Sequence, residues 1–138
     1  MTKFVLDASV ALRWFLDKSI PPYAKRVKQM LMDGNRGIVP ALWHLEMANS
    51  MVLAERRRVL SAGDVDLALR DIEQLIGLAL DTDSTLVSVR QACGPARSFN
   101  LSAYDATYLT LARGEGLPLA TLDDQLRLAA RQAGVQIL

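Results

Sequence analysis

Between Lys3 and Leu16 the sequence reads KFVLDASVALRWFL, and no other stretch constrains the fold as tightly. Phe4, Val5 and Leu6 form an apolar run too short for a helix of its own, which fits a strand buried on both faces. Asp7 follows at once, and Val10, Ala11, Trp14 and Phe15 then recur at helical spacing. A carboxylate at the carboxyl end of a buried strand, just where a helix begins, stands where open α/β sheets place their ligands. Asp is also a preferred helix N-cap. This stretch alone allows both roles for Asp7.

The chain goes on alternating strand with helix. Pro21 and Pro22 open a helix over Tyr23 to Met32, and Asp33-Gly34-Asn35 stops it. Gly37 to Val39 reads as a short strand closed by Pro40, and a helix from Ala41 to Val59 ends in Arg56-Arg57-Arg58. Ser61 and Asp64 have capping spacing before a helix carrying Val65, Ala68, Leu69, Ile72, Leu75 and Ile76 on one face. Gly77 is expected to break that helix before a strand at Leu78-Ala79-Leu80. A helix is expected over Ser84 to Ala92, kinked or ended by Gly94-Pro95. Ser102 caps a helix that holds Asp105 in its first turn, Pro118 to Thr121 gives a strand, and Asp123 to Gln132 gives the last helix. Val135 to Ile137 reads as an edge strand. Such alternation implies a parallel sheet covered on both faces. The length of 138 residues suits one domain over residues 1–138.

Composition removes several classes of function. Hydrophobic residues make up 51 %, enough for a packed core and too many for disorder. No run of about 18 apolar residues offers a membrane span, and no signal peptide is expected from the N-terminal pattern. Cys93 is the only cysteine and His44 the only histidine. An internal disulfide, a four-cysteine zinc site and a His-rich metal site are therefore excluded, and a reducing cytoplasm is the expected compartment. The net charge of +1, from 16 basic and 15 acidic residues, gives no clearly basic domain.

Four acids stand among apolar neighbours: Asp7 in VLD, Glu46 in WHLEMA, Asp105 in AYDATYL and Asp123 in LATLD. Asp64, Asp66, Asp71 and Glu73, by contrast, alternate with apolar residues as an ordinary solvated helix face does. Each of the four has a local explanation, since Asp7 and Asp123 could be caps, Asp105 a first-turn acid and Glu46 a surface residue. Together they ask for more. Asp7 and Asp123 both follow expected parallel strands and so share the sheet's carboxyl edge, where the helices bearing Glu46 and Asp105 could also begin. Two carboxylates about 4 Å apart repel by about 4 kcal/mol at an effective dielectric of 20. No lysine follows Lys28, so the economical neutraliser is Mg²⁺ or Mn²⁺, one or two hard ions with oxygen ligands. Bound there, such ions serve phosphodiester hydrolysis.

These residues are familiar as a set. LDAS near the N-terminus, Glu46 in a mid-chain helix, LSAYDATYLTLA, and LATLD before the last helix resemble a PIN domain, and more narrowly the VapC-type toxins of bacterial toxin–antitoxin pairs. The resemblance runs from Lys3 to Leu138. It implies a three-layer α/β/α sandwich with a short central parallel sheet and a metal-dependent endoribonuclease whose acidic residues match Asp7, Glu46, Asp105 and Asp123. It further implies an RNA substrate, a cognate antitoxin and a homodimer. Ser9 and Thr121 match small hydroxylated residues that the family often carries near the first and last acids. Asp124 is an extra acid, read as helix N-terminal charge or as support for the site. Two other functions fit in outline: a phospho-acceptor domain of the receiver kind, against which the lack of a lysine after Asp105 counts, and a PIN-like scaffold acting only as a binding module.

Other residues draw bland expectations. His44 is structural or a substrate contact, and Trp14 and Trp43 are core or base-stacking groups. Arg56 to Arg58 form a solvated helix end, a phosphate contact or an antitoxin contact. Cys93 is expected to be a small buried hydrophobe.

Overall fold

The computed structural model describes residues 1–138. Phe4, Val5 and Leu6 are fully buried within β1 (Lys3–Leu6), the strand on which the sheet is built. α1 (Ala8–Leu16) and α2 (Pro22–Met32) lead to β2 (Arg36–Pro40), and α3 (Ala41–Arg56) and α4 (Ala62–Ala79) lead to β3 (Leu80–Asp83). α5 (Val89–Phe99) and α6 (Ala103–Glu115) then lead to β4 (Leu119–Ala120), followed by α7 (Asp124–Gln132). All strand pairs are parallel, in the order β3-β2-β1-β4.

The chain thus builds outward from β1 through β2 to β3, then returns to place β4 on the other side of β1. Right-handed crossovers put helices on opposite faces when the direction of travel reverses. The principal helix contacts fall into two groups accordingly, α1 with α2 and α3 with α4 joined through α1 and α3, against α5, α6 and α7. This α/β arrangement leaves a crevice at the carboxyl ends of β1 and β4, where open sheets bind ligands. Gly37 pairs with Phe4 and Leu80 and leaves room for the Leu80 side chain; a Cβ there would meet Leu80 Cδ2 at 2.7 Å, so Leu80 would have to shift.

Three expectations are corrected. Gly77 does not break α4, which runs through Ala79; nothing lies within 4 Å of a Cβ at Gly77, and one glycine in an exposed helical position costs only about 1 kcal/mol. The strand therefore begins at Leu80, two residues late, and continues through Asp83. Ser84 to Ser88 is not helical, and α5 starts at Val89 with Pro95 inside it. Pro95 removes the helical bond to the carbonyl of Gln91, but both ends of α5 are secured. Ser88 and Gln91 form a reciprocal capping box, and Asn100 closes the helix in the left-handed conformation, its amide bonding Ala96. The C-terminal edge strand is reduced to a single bridge from Ile137 to Leu119.

No helix is long and apolar enough to cross a membrane. Trp43 and Tyr108 are the largest fully buried side chains of a continuous 30-residue core.

Candidate active site

The four acids are set by four different elements. Asp7 ends β1, its amide still in the ladder through a 2.9 Å bond to Ala120, and it occupies the N-cap position of α1. Its carboxylate makes no capping bond. Ser9 Oγ donates to Asp7 Oδ2 at 2.6 Å and Thr121 Oγ1 donates to the same oxygen at 2.7 Å. Each hydroxyl in turn accepts a backbone amide, Leu122 on Ser9 and Asp123 on Thr121, both at 3.0 Å. With their acceptor sides occupied, both hydroxyls point their protons at Asp7. The β4–α7 connection is thereby latched onto the end of β1. Arg127 strengthens the latch, its Nε donating to the Thr121 carbonyl at 2.7 Å while its guanidinium lies over the Tyr23 ring.

Asp123 is the N-cap of α7, accepting the Leu126 amide on Oδ1 at 2.8 Å. Asp105 lies in the first turn of α6, where Ser102 accepts its amide at 3.0 Å. Ser61 and Asp64 close a reciprocal capping box at α4; Asp105 forms no such box with Ser102. Glu46 lies in the second turn of α3 and accepts a 2.5 Å hydrogen bond from Tyr108 on α6. Asp7, Ser9, Glu46, Asp105 and Asp123 line one open cleft of about 270 Å³, together with Ala8, Leu12, Asn49 and Ser50.

Charge in this cleft is uncompensated. The two salt bridges of the protein, Arg13–Asp17 and Arg36–Asp81, lie elsewhere. Burial pushes the Asp7 carboxyl above its ordinary range, against the two hydroxyl bonds, and the nearby Asp123 pushes the same way. Burial also raises Glu46, with Asp7 and Asp105 adding to it and the Tyr108 bond opposing. Asp105 is raised by burial first, then by Asp123 and Asp7. Tyr108 is driven far upward by burial and by the charges of Asp7 and Glu46, so it remains a protonated donor.

The donor set is all oxygen, as hard divalent cations require. No three of the acids converge as direct ligands of one ion. Magnesium commonly keeps several waters and takes one or two carboxylates, so the wider spacing suits a hydrated ion.

Other sequence candidates resolve differently. Thr121 is fully buried and reaches the cleft through Asp7, Ser9 and Asp123. Asp124 is exposed at the start of α7 and outside the cleft wall. His44 bonds Thr82 at 2.8 Å, tying α3 to β3. Trp14 donates to the Ala24 carbonyl, and Trp43 is fully buried; neither lines the cleft. Arg56 to Arg58 are exposed at the far end of α3, about 15 Å along the helix from Glu46 at 1.5 Å per residue. Cys93 is exposed on α5, not buried, because that helix buries no side chain. Sequence reasoning missed Asn49, Ser50 and Tyr108. The first two follow Glu46 at i+3 and i+4, and Tyr108 follows Asp105 at i+3, the spacing that shares a helix face.

Fold and cleft together define a class: a parallel α/β protein that gathers acidic oxygen donors at the switch point of its sheet. A PIN-domain family model matches residues 4–132, and the chain belongs to the PIN domain family. Its fold is similar to the crystal structure of PAE2754 from Pyrobaculum aerophilum, with a TM-score of 0.66 and 20 % identity over 96 % of each chain. It is also similar to the crystal structure of FitAcB from Neisseria gonorrhoeae, with a TM-score of 0.68 and 17 % identity over 98 % of this chain and 96 % of the other. No curated protein matches the sequence. PIN domains are generally nucleases and typically use divalent metal ions. The receiver-like alternative does not survive the family match.

Proposed function

We propose that this chain is a metal-dependent endoribonuclease, the toxin of a type II toxin–antitoxin pair of the VapC kind, acting as one domain over residues 1–138. The observation that carries the proposal is the meeting of Asp7, Glu46, Asp105 and Asp123, from four elements, in one cleft without a basic partner. These acids would hold Mg²⁺ or Mn²⁺, with Asp7 and Asp123 nearest the principal ion. When bound, such an ion offsets the carboxylate repulsion, polarises a phosphate oxygen and lowers the pKa of a coordinated water. The chain's own residues hold that arrangement. Ser9 and Thr121 fix Asp7, Leu126 fixes Asp123, and Asn49 and Ser50 add uncharged polar groups that a polyanion can approach without repulsion. A full set of acids in one cleft favours an enzyme over an inactive PIN scaffold.

The sequence resemblance supports the toxin assignment, an antitoxin partner and a homodimer, and the lone Cys93 supports a cytoplasmic setting. A monomer by light scattering, with no co-purifying partner, would count against the association. The chemistry is tested by cleavage of single-stranded RNA with Mn²⁺, with EDTA, and by Asp7→Asn. The variant should lose more than about 100-fold, beyond the cost of deleting an outer hydrogen-bond partner of a metal site. Its melting temperature in EDTA should be no lower than wild type, because one repelling charge is gone. Undiminished cleavage in EDTA or in the variant overturns the metal mechanism.

A further inference from the structure

Tyr108, in the second turn of α6, is fully buried, and a buried phenol hydroxyl needs a partner. It donates to Glu46 Oε1 at 2.5 Å and so ties α6 to α3 across 62 residues of sequence. This is the one hydrogen bond of the Glu46 carboxylate. The same pattern recurs around the cleft. Asp7 has Oδ2 held by two hydroxyls, and Asp123 has Oδ1 held by the Leu126 amide. In three of the four acids, then, one oxygen is held within the protein and the other is left without a protein partner. For Asp7 and Asp123 the holder comes from the strand ends and a helix terminus. Glu46 has a longer side chain on the outer helix α3, and only Tyr108 restrains it.

We infer that Tyr108 is a positioning residue of the nuclease site: its hydroxyl fixes one oxygen of Glu46 so that the other alone is offered to the cation. The inference rests on the function proposed above. Packing explains the ring, which a phenylalanine would supply equally well. It does not explain a hydroxyl placed against Glu46, the acid that α3 contributes to the cleft.

The test is Tyr108→Phe in the full chain, alone and combined with Glu46→Gln, measured by Mn²⁺ calorimetry at one pH and by steady-state cleavage of single-stranded RNA. Loss of an outer partner that orients a metal ligand typically weakens metal binding or activity about 10- to 100-fold. Tyr108→Phe should weaken Mn²⁺ binding and lower kcat within that range, leave KM for RNA unchanged, and cause no further loss of Mn²⁺ affinity in the Glu46→Gln background. Unchanged Mn²⁺ affinity, or an equal loss on top of Glu46→Gln, overturns the role of Tyr108 and leaves the nuclease reading standing. Wild-type protein that neither binds Mn²⁺ nor cleaves RNA removes that reading and this inference with it. A Tyr108→Phe chain that does not fold would make the hydroxyl a requirement of the fold itself and overturn the positioning role.

Discussion

Two groups of carboxylates in this protein behave in opposite ways. Asp64, Asp81 and Asp83 sit at the surface, each carboxylate with its own partner: the Ser61 amide, the Arg36 guanidinium at 2.6 Å, and Thr85. Those bonds hold all three below the ordinary carboxylate range. Asp7, Glu46 and Asp105 are partly or wholly withdrawn from water and stand close to one another, and burial drives all three above it. The ionisable group is a carboxylate in both. The first group secures a cap, a strand pair and a turn. The second holds charge that the fold itself leaves unneutralised, which is a common mark of a functional site.

The comparison breaks most visibly at Thr121. Thr121→Val keeps the shape but takes a donor from the Asp7 carboxylate and an acceptor from the Asp123 amide. Hydrogen bonds to charged groups contribute about 1.5–3 kcal/mol, so a loss of about that size is expected in urea unfolding. A midpoint equal to wild type would mean the latch between β4 and β1 does not matter.

Acidity sharpens the contrast further. A carboxylate whose folded pKa is raised binds more protons folded than unfolded, between its unfolded value near 4 and its higher folded value. The cost from Asp7, Glu46 and Asp105 is therefore absent below about pH 4 and complete above their folded values. Asp64, Asp81 and Asp83 act the other way, losing their contribution only below about pH 4. In EDTA, the melting temperature should rise as pH falls through the raised folded values of Asp7, Glu46 and Asp105 toward about 4, and saturating Mn²⁺ should flatten or reverse that slope. A stability that falls on mild acidification in EDTA would contradict the grouping. The smallest effect belongs to the surface group. Asp81→Asn, which breaks an exposed pair with Arg36, should shift melting slightly and leave RNA cleavage unchanged. A loss of cleavage there would erase the distinction between the two groups.

What the sequence made legible follows the same division. Acids embedded in apolar runs stood out, because such settings are rare for charge unless it is held for a purpose. Phe4 to Leu6 announced a buried strand, and Ser61 with Asp64 announced a cap that the structure contains. β3 was harder, since LDTD is an exposed-edge strand with one buried residue and no apolar alternation. The last strand was overestimated because Val135 and Ile137 are apolar at period two, while the pairing is one bridge at Ile137, made by the Gln136 carbonyl and the Leu138 amide on Leu119. Tyr108 was hidden in plain view. An aromatic residue at helical spacing signals core, and its ring is core; only the third dimension shows where the hydroxyl goes. Pro95 misled in the opposite sense: it lies inside α5, and the helix nonetheless runs on to Phe99.

The pairing order has a consequence for how the protein comes into being. Residues 7, 46, 105 and 123 are spread over nearly the whole chain, and β4 is the last strand, yet it seats beside the first. A growing chain that has emerged through α6 already carries three of the acids but has neither Asp123 nor the hydroxyl of Thr121 that holds Asp7. The cleft is completed only when β4 closes against β1, so the site cannot form before β4 has been made, and a chain cut short before β4 never acquires it.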